Sequence, residues 1–230
     1  MDWVAVRERV LHLAVTGEQG RLIQTVESLH LPLIGVYEQV FEPVFAMIED
    51  AWFANRLSLS HEQAVFRLLE RVASSIVPWN KDTKPWHLLG SAVADEGHDI
   101  GIRMATNLFE EAGWDVLYLG ADAPADFVLS ALEIKPMHTL ALGISLDDHL
   151  PAAMAVLTAC RAQHPAIVRI VGGKAAARHA ERFRAIGVDL VAPPLSGLVE
   201  RVERLVSTRP FPVPQPPAHE PPPRLPSEAA

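Results

Sequence analysis

The stretch Leu88-Leu89-Gly90-Ser91-Ala92-Val93-Ala94-Asp95-Glu96-Gly97-His98-Asp99-Ile100-Gly101 decides how the chain is read. An apolar run gives way to a loop of acids, glycine and histidine, and from about Ile102 onward the apolar spacing becomes helical. A buried run without polar alternation, closed by such a loop and followed by a helix, opens a βα unit of a parallel sheet. The same change of period recurs after residues 116–119, 139–145, 168–171 and 188–191. Strands alternating with helices predict a Rossmann-like, five-stranded parallel sheet over 87–207, covered on both faces. The expected order is the flavodoxin-like 2-1-3-4-5. That order collects ligands at the carboxyl ends of the first and third strands, where the His98 loop stands.

Upstream, the apolar positions fall three and four apart, as in Leu22, Ile23, Val26 and Leu29, or Val40, Val44, Met47, Ile48 and Ala51. This predicts a four-helix bundle over 1–79. Gly17 and Gly20 separate the first two helices, Pro32 the second from the third, and Ser58 and Ser60 open the last. Pro43 should start or kink a helix. Residues 80–86 are polar, flanked by Pro78 and Pro85, and are expected to be an interdomain linker that permits relative motion. Residues 208–230 are dominated by proline and are expected to be an extended tail.

A hydrophobic content of 49% is ample for a core in 230 residues. The single Cys160 excludes an internal disulfide and a cysteine-rich zinc site, and its apolar surroundings predict a small buried hydrophobe. A net charge of −8 without a basic cluster argues against direct nucleic-acid binding. No long apolar run or signal-like terminus is present in the sequence, so a cytoplasmic protein with no membrane contact is expected.

His98 carries the chemistry. A neutral imidazole gives one nitrogen to a metal, and the other needs an orienting acceptor, which a carboxylate two positions away supplies. One histidine does not make a protein zinc site, and a loop histidine bonded to a carboxylate is the plain alternative. A corrin ring brings four equatorial nitrogens of its own, so one axial ligand suffices.

Glu96, His98 and Gly101 form ExHxxG; with Ser145 after the third strand and Gly172-Gly173 after the fourth, the pattern resembles the cobalamin-binding domain of methionine synthase and its relatives. The resemblance implies that His98 is the lower axial ligand and that Glu96 orients it. It further implies that Ser145 and Leu146 line a channel for the nucleotide tail, and that Gly97, Asp99, Ile100, Gly101, Gly172 and Gly173 border the cofactor. The stretch from Leu117 to Pro124, and the segment from Val40 through Trp52 to Glu62, are most similar to light-dependent regulators of the CarH type. That likeness implies adenosylcobalamin, with Trp52 over the upper corrin face and Glu62 bonded to the adenosyl sugar.

Two departures stand out. Those regulators carry a histidine where Gln63 stands, and His61, His30 and His87 are poorly placed substitutes. They also carry a DNA-binding domain ahead of the bundle, whereas here the bundle begins at once. The resemblance therefore implies a stand-alone sensor, not an enzyme, acting through a protein partner or self-association, with a homodimer expected. Photocobilins, which add biliverdin, are similar in this respect; Arg56 and Arg103 are candidate cations for bilin propionates, and Cys160 is poorly placed for a covalent link. The alternatives are a corrinoid carrier for methyl transfer and a haem-holding relative.

Overall fold

A computed structural model describes residues 1–78 and 80–211, so the expected proline-rich tail beyond Phe211 lies outside the described residues. Helix α1 (Trp3–Val15) is capped by Asp2, whose carboxylate accepts the Val4 and Ala5 amides. After α2 (Gln19–Glu27) the chain forms one long rod from α3 (Leu33–Val36), a π turn (Tyr37–Phe41) and α4 (Glu42–Phe53). The π turn is how the chain absorbs Pro43. Proline has no N–H for the Gln39 carbonyl one turn earlier, and Arg7 of α1 donates to that carbonyl at 2.8 Å. Helix α5 (Leu59–Ser75), capped by Ser58, completes four rods around a core that includes Leu13, Leu22, Tyr37, Phe41, Ile48 and Leu69.

The second part alternates β1 (His87–Ala92), α6 (Ile100–Glu111), β2 (Asp115–Tyr118), α7 (Ala125–Ala131) and β3 (Thr139–Gly143). A 3-10 turn (Asp147–His149), α8 (Leu150–Gln163), β4 (Val168–Gly172), α9 (Lys174–Arg178), α10 (Ala180–Ala185), β5 (Leu190–Val191) and α11 (Leu198–Ser207) follow. The sheet is fully parallel in the expected order β2-β1-β3-β4-β5. Its register aligns Ala92 with Gly143, and Gly143 with Gly172. Three strands thus end at one level, and their loops rise side by side.

The two parts share α6. Ile102, Ala105 and Phe109 pack toward the sheet, while Ile100, Met104 and Leu108, four residues apart, belong to the bundle core. Between them Asn107 is fully buried and donates to the Tyr37 hydroxyl (2.8 Å) and the Ala73 carbonyl (3.1 Å) of the bundle. The expected linker is not slack. Asn80 donates to the Glu111 carbonyl, the Lys84 amide to that of Gly113, and the Lys84 ammonium pairs with Glu203 of α11. Among the described residues no helix is long and apolar enough to cross a membrane.

Candidate functional site

Glu96 is the centre of the loop cluster. It is buried completely, and its two oxygens face two different loops. Oε1 accepts the His98 amide at 2.9 Å and lies 3.4 Å from His98 Nδ1. Oε2 accepts the Ser145 amide at 2.6 Å and lies 3.1 Å from Nδ1 of His149. Burial pushes the Glu96 carboxyl up, but the hydrogen bonds from His98, Ser145 and His149 more than offset it and hold the pKa at about 2. An ionised carboxylate only accepts, so each facing imidazole nitrogen carries its proton toward Glu96. For a neutral His98 this leaves Nε2 as the free donor of an electron pair, the arrangement a metal ligand needs.

The hydrogen bond to Glu96 raises the pKa of His98 against the effect of burial, with the charges of Glu62 and Glu49 adding to it. Both acids come from the bundle. Glu62 is buried at the first turn of α5, and Glu49 on α4 pairs with Lys174, which directly follows Gly173. Phe66 of α5 sits edge-on to the His98 ring, with centroids 5.8 Å apart. A pocket of about 110 Å³ remains between α5 and the loop, lined by residues including Gln63, Phe66, Glu70, Gly97 and His98.

The sequence profile described as the B12 binding domain matches residues 86–201. The chain belongs to the B12-binding domain family. Members of that family take cobalamin or a related corrinoid as cofactor. A search of curated proteins finds no match. Among solved structures, the chain is similar to the Methanosarcina barkeri monomethylamine corrinoid protein, with a TM-score of 0.67 and 15% identity over 88% of this chain and 98% of that one. It is also similar to the methanol:cobalamin methyltransferase complex of the same organism (TM-score 0.50, 14% identity, 89% of this chain, 80% of that one). A cobalamin-binding protein from Desulfitobacterium hafniense DCB-2 matches with a TM-score of 0.49 and 15% identity over 89% of this chain and 98% of that one.

The residues present fit a corrinoid at the sheet edge. Among the described residues no three His, Cys, Asp or Glu side chains converge on one point, so a metal at His98 must bring its other donors with it. The His98 side chain is 43% exposed, and its Nε2 has no hydrogen-bond partner among the described residues. Side chains added at Gly97, Gly101 or Gly172 would meet open space. Gly173 is different: its φ is +100°, and a Cβ there would fall 2.0 Å from the Ile144 carbonyl oxygen. The pocket under α5 is too small for a macrocycle, since sites for much smaller organic ligands occupy about 300–1,000 Å³.

Asp99 accepts the Tyr118 hydroxyl at 2.8 Å and Ile100 belongs to the bundle core, and both also line the pocket beside His98. Ser145 meets Glu96 through its backbone amide, and Leu146 beside it is 51% exposed. Trp52 packs edge-on against Phe53 and is 39% exposed, outside the bundle core. Arg103 is not free for a bilin propionate: it donates to Ser74, pairs with Glu110 and lies 4.8 Å over the Tyr118 ring. Cys160 is fully buried, and burial pushes its thiol up to about 11, as expected of an inert hydrophobe. Sequence reasoning missed His149. Its partner Glu96 stands 53 residues earlier, so no local pattern pointed to it.

Proposed function

We propose that this B12-binding chain is a light sensor that holds adenosylcobalamin with His98 as the lower axial ligand. The reading rests on the sequence likeness of the stretch from Val40 through Trp52 to Glu62 to light-dependent regulators, and on Glu62 being buried in the first turn of α5, the helix whose Phe66 meets His98. Bound adenosylcobalamin supplies visible absorption and a light-labile cobalt–carbon bond. The chain's own contribution is mechanical: His98 fixes the lower side, the bundle closes the upper side, and the bundle is the element with two positions. Output then runs through a protein partner or self-association. Absorption and oligomeric state of the loaded protein before and after green light test this; no change in either rejects it.

A second reading is a corrinoid carrier for methyl transfer. It is favoured by the likeness to the monomethylamine corrinoid protein, which extends through the helical part. Methyl transfer from the loaded protein to a thiol acceptor, with a partner methyltransferase, separates the two. Biliverdin as a second chromophore is tested by purification from a host supplied with both pigments, where far-red absorption reports it.

A further inference from the structure

The Glu96 carboxylate is held symmetrically, and one of its holders has no assigned role. The loop after β1 supplies both groups on Oε1, the amide and imidazole of His98. The loop after β3 supplies both groups on Oε2, the Ser145 amide and the His149 imidazole. His149 is 9% exposed and sits at the end of the 3-10 turn, where Leu150 begins α8. Its ring has no route to the metal position, because Glu96 stands between it and His98. A buried histidine at a helix start whose Nδ1 points at a carboxylate is a donor with one acceptor.

We propose that His149 is a positioning residue for the axial ligand: by donating to Oε2 it locks the rotation of the Glu96 carboxylate, and so holds Oε1 toward Nδ1 of His98. The inference rests on His98 being the ligand. Without the His149 bond only the backbone amides of His98 and Ser145 hold the carboxylate, one on each oxygen, and its terminal torsion, a broad two-fold well, is less tightly restrained. The acceptor that fixes the tautomer and ring direction of His98 is then less firmly held. Outer-shell partners of metal-bound histidines typically alter metal affinity about 10- to 100-fold, and His149 acts one bond further out. The expected effect is therefore about a tenfold shift of the ligand-on equilibrium.

The test uses the full chain carrying ¹⁵N-histidine, loaded with cobalamin and reduced to the paramagnetic Co(II) state, where an axial histidine nitrogen splits the electron paramagnetic resonance lines. Wild type is expected to show the ¹⁵N splitting, and His98→Ala to lose it. His149→Leu should show a weaker split signal than wild type. His149→Asn, whose amide nitrogen replaces Nδ1, should restore it at equal cobalamin occupancy. Full splitting in His149→Leu overturns the role of His149 while leaving His98 as ligand. Equal loss in the Leu and Asn variants also overturns it, because the donor would then not be what matters. Wild type without splitting overturns the ligand assignment itself, and the role of His149 with it.

Discussion

Replacing Glu96 by Gln changes one oxygen to an amino group at constant volume, and the structure sets the cost. Wherever the amide points, its NH₂ faces donors: the His98 amide and imidazole on one side, the Ser145 amide and His149 imidazole on the other. The imidazoles escape by changing tautomer, but a backbone N–H does not. At least one buried amide is left without an acceptor, at about 1–3 kcal/mol, and the surviving bonds lose the charge that strengthened them. The expected destabilisation is about 3 kcal/mol, from a site with zero exposed surface. Urea unfolding of the cobalamin-free chain, read by far-UV circular dichroism, measures it as a lower midpoint at unchanged slope. Exposed Glu8→Gln serves as control, with an expected change within about 0.5 kcal/mol. A Glu96→Gln variant losing less than about 1 kcal/mol refutes the donor count around this carboxylate.

The two neighbouring glycines should behave oppositely. Gly173→Ala drives a Cβ into the Ile144 carbonyl from a left-handed backbone and should cost at least about 3 kcal/mol, whereas Gly172→Ala, which meets nothing, should keep stability within about 0.5 kcal/mol while weakening cobalamin binding about tenfold, read by titration. Lys174→Glu removes the exposed pair with Glu49, worth under about 1 kcal/mol; cobalamin uptake should quicken a few-fold in stopped-flow absorbance, and the Glu49→Lys/Lys174→Glu double variant should reverse it. Far from this edge, burial lowers the pKa of His138, with His87 adding to it, and its Nδ1 accepts the His87 amide. The unfolded chain therefore binds the proton more readily, so this contribution to stability is complete above about pH 6.5 and is lost as pH falls through the lowered folded value. His138→Asn, which keeps an acceptor for His87, should flatten the thermal-melting profile on the acid side of about pH 6.5.

The strand order and the Glu96–His98 pairing were legible because they rest on local signals: apolar runs, glycine-bearing loops and a short motif. What was not legible depends on partners distant in sequence. Val93, Ala94 and Ser145 continue apolar runs, yet the strands stop at Ala92 and Gly143, because the chain beyond them leaves the ladder to surround Glu96. Asp99 and Ile100 lie in the motif loop, but Tyr118 and the bundle core claim their side chains. Neither the Asn107–Tyr37 bond nor the Phe66–His98 contact is written in any local pattern. Residues 80–86 read as a flexible connection from their prolines and charge, while Gly113 and Glu203, which tie them down, stand well downstream. Pro43 signalled a defect in a helix, but the carbonyl it orphans found its donor on α1.

The double allegiance of α6 makes bundle position and ligand position one mechanical variable. Its first turn follows directly on His98, its apolar stripe through Ile100, Met104 and Leu108 is embedded in the bundle, and its opposite stripe rests on the sheet. A displacement of the bundle that keeps those contacts tilts α6 about its sheet-facing side like a rocker, and the loop bearing the imidazole travels with the end of the rocker. Cutting the chain in the connection at 80–86 would accordingly yield not a free cobalamin module but a sheet with a greasy, unmated helix. The bundle core and the sheet core are packed on two faces of a single twelve-residue helix that begins two residues after His98.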